Sequence, residues 1–78
     1  MNKRDLNVLG NSTSELMGAV NYYRSNGLKE SLITAEEMLN ARLNLIADLG
    51  INQRTTCTDD RQFKIVHLNG ESFSVTHY

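Results

Sequence analysis

Residues 63–78 read FKIVHLNGESFSVTHY. Asn69-Gly70 stands between two runs of alternating apolar and polar residues, and an Asn-Gly pair so placed is the strongest short-range signal for a β-hairpin. Two registers compete. A two-residue loop pairs Val66 with Phe73 and Lys64 with Val75. A three-residue loop, Leu68-Asn69-Gly70 with Gly70 left-handed, pairs Ile65 with Phe73 and Phe63 with Val75. The second gathers the four clearest apolar side chains on one face, and a slip of one residue turns a strand's side chains to the wrong face. The three-residue loop is therefore the expected register.

Just upstream, residues 51–60 read INQRTTCTDD. Thr55, Thr56 and Thr58 favour extended backbone, and Asp59-Asp60 is turn-like. A third strand over about 53–58 would extend the hairpin into a meander, and both forms stay open.

Before residue 51 the period changes from two to that of a helix. Ser12 and Glu15 fit the S-x-x-E capping box, in which hydroxyl and carboxylate each satisfy a free backbone amide. Leu16, Ala19, Val20 and Tyr23 then recur at helical spacing, and Asn26-Gly27 supplies a left-handed stop. This predicts a first helix over about 13–25. Thr34 and Glu37 form a second box, with Ile33 and Met38 at the staple positions. Gly50 closes a second helix over about 35–49. Residues 1–11 read as a flexible arm or short strand ahead of a single domain over 12–78. Gly18, with Ser14, lies on a small back face of the first helix that permits close approach of a neighbour. The expected fold class is α+β: two helices, then an antiparallel hairpin or three-stranded meander, with the helices packed on one sheet face.

Composition narrows the function. The chain of 78 residues is one domain at most, and 40 % hydrophobic with 22 % charged residues fits a folded domain rather than a disordered tail. A formal net charge of −1 lacks the basic footprint of a strong nucleic-acid binder. The single cysteine, Cys57, has no intrachain disulfide partner. No apolar run is long enough for a bilayer and no signal-peptide core follows Met1. A cytoplasmic location is the expectation.

Chemistry-bearing groups are sparse. Cys57, His67 and His77 are the metal-ligand candidates. In the favoured register the two histidines lie about 20 Å apart along the ladder, at ~3.3 Å per residue. That is too far to share a tetrahedral ion. Arg54 and Arg61 near Cys57 would lower its thiol pKa, but no motif supplies a base or an oxyanion hole. Glu36-Glu37 suits a helix start, and Asp59-Asp60 suits a turn. No Gly-rich phosphate loop is present. The sequence therefore points to no catalytic residue, metal, cofactor or small-molecule substrate, and to a non-enzymatic role.

The second helix is the anomaly. Ala35, Met38, Leu39, Leu43, Leu45, Ile46, Ala47 and Leu49 cover an arc of about 200° at 100° per residue, wider than one sheet face needs. Arg42 falls inside that arc. It either snorkels along a core edge or pairs with a carboxylate across the sheet, or it belongs to a partner-facing surface with Leu45 and Leu49. Tyr22, beside the apolar stripe of the first helix, is a further contact candidate. The sequence reading is a small protein-interaction module (adaptor, inhibitor or regulator). It binds another protein or itself, as a homodimer, through Tyr22, Arg42, Leu45 and Leu49. The alternative is a nucleic-acid-binding regulator that uses Arg54, Arg61 and Lys64 of the sheet. It is disfavoured because the second helix carries Glu36, Glu37 and Asp48 against Arg42, which repels phosphate.

Overall fold

The computed structural model describes residues 2–57 and 64–75. In chain order these form helices α1 (Lys3–Ser25) and α2 (Lys29–Asp48) and strands β1 (Gln53–Cys57), β2 (Lys64–Leu68) and β3 (Glu71–Val75). The strands make one antiparallel sheet in the order β1-β2-β3, and the two helices pack against it. The α+β class and the meander form are thus those of the molecule.

Helix α1 begins ten residues before its expected start, so residues 3–11 are neither arm nor strand. Asn2 is its N-cap and accepts a hydrogen bond from the Asp5 amide at 2.8 Å. Leu6 and Leu9 extend the apolar stripe back to this first turn, where they join the core. Ser12 does not cap anything. Its hydroxyl, like that of Thr13, donates to the Leu9 carbonyl one turn back, at 3.1 and 2.7 Å. Thr34 repeats this inside α2 by donating to the Glu30 carbonyl at 3.2 Å. Helix α2 starts at Lys29 behind Leu28, which offers no side-chain cap, and the staple residues Ile33 and Met38 are both exposed. A hydroxyl three residues before a glutamate also fits a helix interior, because it can bond back to its own helix.

The stops fall where glycine dictates. Gly27 and Gly50 have φ of +69° and +73°. At the first, Gly27 N donates to Arg24 O and Leu28 N to Tyr23 O; at the second, Gly50 N donates to Ala47 O and Ile51 N to Ile46 O. Each pair is a Schellman closure. Ile51 and Ile46 then both enter the core.

The hairpin takes the two-residue loop. Val66 pairs with Phe73 and Lys64 with Val75. Asn69 and Gly70 have φ of +50° and +86°, the positive pair that a type I′ turn requires. The three-residue register fails because it spends Leu68 on the turn, whereas Leu68 is fully buried beside Val66. Ile65 moves to the outer face, and Phe63 lies outside the described residues. Asn69 also ties the turn to the residue before β1: its amide donates to Asn52 O, and its Oδ1 accepts from the Asn52 amide, each at 3.0 Å.

Val66, Leu68 and Phe73 face Leu9, Met17, Ile46 and Ile51, with Leu6, Leu39 and Leu43 at the margin. The small residues of α1 make this contact. A Cβ on Gly10 would lie 2.4 Å from the Phe73 ring, and the buried Ser14 hydroxyl donates to the Phe73 carbonyl at 3.1 Å. The small face of α1 is thus its sheet-facing side, not its back.

Candidate functional site

With the sheet on one side of the helix pair, the opposite side is open. On α2, Thr34, Met38, Leu45 and Leu49 fall within an arc of about 60° at 100° per residue. On α1, Val8, Leu16, Ala19 and Tyr23 fall within about 80°. Gly10 and Ser14, which touch β3, lie on the other side of α1. Two open cavities lie along these flanks, and we call the α1–α2 face that carries them the groove. The first, at the α1–α2 turn, has ≈ 460 Å³ and is lined by Leu16, Ala19, Tyr23, Glu30, Thr34 and Met38 among others. The second, at the open end, has ≈ 510 Å³ and is lined by Arg4, Asp5, Val8, Arg42, Leu45 and Leu49 among others. Between them Arg42 Nη1 donates to Ser12 Oγ, and this bond forms the waist of the groove.

Side chains that would be core in a helix packed on both sides stand in solvent here. Val8 is 63 % exposed, Met38 55 %, Leu45 46 % and Leu49 49 %. Single exposed apolar residues need no explanation, but four on one face of a helix pair do.

The structure brings three of the four expected contact residues together: Arg42, Leu45 and Leu49 line the same cavity. Arg42 is half buried, its guanidinium held by Ser12 rather than by a carboxylate. Tyr22 stands apart. It lies near the turn end of α1, its ring edge-on to Tyr23 with centroids 5.7 Å apart, and Tyr23 is the residue that lines the turn-end cavity. Sequence reasoning missed Val8, assigned to an arm, and Met38, assigned to a staple. The signal that finds both is the apolar period continued through residues 3–11 and the flank that Met38 shares with Leu45.

The sheet residues gather less. Arg54 is exposed on β1, in register with His67. Lys64 pairs with Cys57, three rungs away, or about 10 Å at ~3.3 Å per residue. Arg61 and His77 lie outside the described residues. His67 sits between two hydroxyls, with Thr56 Oγ1 3.3 Å from Nε2 and Ser72 Oγ 3.0 Å from Nδ1. No carboxylate orients this imidazole among the described residues, and both hydroxyls are in exposed positions. Among the described residues no three His, Cys, Asp or Glu side chains are grouped as a metal site, and no helix is long and apolar enough to cross a membrane.

No protein-family model, curated protein or solved structure matches this chain.

Proposed function

We propose that the chain is a small, non-enzymatic protein-interaction module whose partner seats in the groove of the helix pair. One observation supports this above the others. Val8, Met38, Leu45 and Leu49 are half-exposed apolar side chains around two cavities, on the face turned away from the sheet. A helix pair that already has a sheet on one side gains no stability from a second apolar flank in water. Burial by a partner would recover about 25 cal/mol per Å². Arg42 at the waist is the kind of planar cation that anchors such interfaces.

The nucleic-acid reading through Arg54, Arg61 and Lys64 has less to rest on. Arg54 and Lys64 are well separated along the ladder, and the overall charge is negative.

The test is site-specific photocrosslinking in cells. A benzoylphenylalanine at Leu45 should capture a discrete protein adduct. The same group at Ile33, more exposed than Leu45 but off the groove, should not. Equal labelling from both positions, or none from Leu45, would remove the groove as the working surface.

A further inference from the structure

Arg4 on α1 lines the open-end cavity and Glu30 on α2 lines the turn-end cavity, and each is exposed. At 100° per residue Glu15 shares the azimuth of Arg4 on α1, and Glu37 and Asp48 share that of Glu30 on α2. Asp5 lines the open-end cavity itself. The cavity linings thus carry Asp5 and Glu30 with Arg4 and Arg42, and helical spacing adds three carboxylates beside them, Glu15, Glu37 and Asp48. All five acidic residues are exposed, and among the described residues none of them makes an ion pair. The ion pair that the helices do make, Arg24 with Glu36 at 3.1 Å, uses a different glutamate. Overall the chain carries a formal charge of only −1, so negative charge is concentrated on this face.

We infer that the occupant is a basic amphipathic helix of another protein, with leucine-like residues on one side and Lys or Arg on its flanks. The inference rests on the groove reading above and adds the chemistry of the partner. A groove between two helices, with an apolar floor and paired rims, is the shape that receives an amphipathic helix through anchors at i, i+3, i+4 and i+7. The α2 flank from Thr34 to Leu49 runs about 22 Å at 1.5 Å per residue, which a helix of about 15 residues fills. The acidic rim selects the sign of its flanks, since like charges facing across an interface are disfavoured. For the same reason a second copy is a poor occupant: two such faces brought together set carboxylate rims against each other.

The experiment uses the full chain and two synthetic 16-residue peptides with the same leucine pattern, one with lysine and one with glutamate elsewhere. Binding is followed by fluorescence anisotropy, with sedimentation of the unliganded chain at the same concentrations. The expected result is saturable one-to-one binding of the Leu/Lys peptide that weakens as salt rises, with no binding of the Leu/Glu peptide. Glu37→Lys with Asp48→Lys should weaken it about tenfold. Leu45→Asn should weaken it at least as much, with circular dichroism unchanged. Glu71→Lys, an exposed charge reversal on β3 away from the groove, should leave it within twofold. Equal loss from Glu71→Lys would mean diffuse charge attraction and overturn the inference. So would binding of both peptides or neither, or a dimer of the free chain that Leu45→Asn dissociates. If crosslinking at Leu45 still captures a protein while the Leu/Lys peptide fails to bind, the interaction module stands and its basic partner falls.

Discussion

Gly10 shows how one absent side chain sets the distance between layers. The Phe73 ring occupies the space where a Cβ would be, with three ring carbons within 2.6 Å of that point. A mid-helix glycine costs about 1 kcal/mol relative to alanine, so this one is retained for its close approach. Gly10→Ala should therefore destabilise the domain despite better helix propensity, by a net of about 1–2 kcal/mol as overpacking exceeds the propensity gain. Urea unfolding of Gly10→Ala and of Gly10→Ala/Phe73→Leu checks this, because the smaller partner should restore part of the loss. Ser14→Ala removes a buried side-chain hydrogen bond between α1 and β3. It should cost about 1 kcal/mol. A larger loss would mean that the Phe73 carbonyl finds no replacement donor. Gly10 does not announce this role in the sequence, and Ser14 reads there only as part of a small face open to some neighbour. Glycine and serine on a helix flank read as small and polar, and the contact that explains them lies 59 positions away for Ser14.

At the scale of elements, the helix stops and the hairpin turn were legible and the helix starts were not. The stops and the turn rest on backbone conformations that few residues adopt, so Gly27, Gly50 and Asn69-Gly70 carry them locally. Starts rest on one hydroxyl hydrogen bond, and Ser12 and Thr34 make that bond inside their helices instead. The register was misread for a related reason. Counting apolar residues on one strand pair favoured Ile65 over Leu68, but the turn's own geometry outweighed that count. Gly70→Ala places a Cβ at φ +86° and should cost about 1 kcal/mol without changing the fold. Removing residues 1–11 should do far more. Leu6, Leu9 and Gly10 belong to the core contacts of α1, so the truncated chain should lose its cooperative thermal transition. A truncated chain with an unchanged midpoint would show that those residues are dispensable after all.

At the scale of the molecule, the candidate site was half legible. Arg42, Leu45 and Leu49 come from an apolar arc too wide for one neighbour, which sequence periodicity measures directly. The other half of the groove, Val8 and the α1 flank, depends on which side of α1 meets the sheet. That is fixed by Gly10 and Ser14 against Phe73, a long-range fact.

The same long-range contact has a consequence for synthesis. Helix α1 is synthesised before the sheet, and the strand that covers its small face, β3, is the last element of the domain to be made. Translation adds about 5–20 residues per second, and a domain folds as a unit. The helix pair is therefore made about 1–5 seconds before its sheet is complete, with both of its apolar sides uncovered. Folding of this domain must wait for β3, and until then the nascent helices offer two greasy surfaces where the folded domain keeps one.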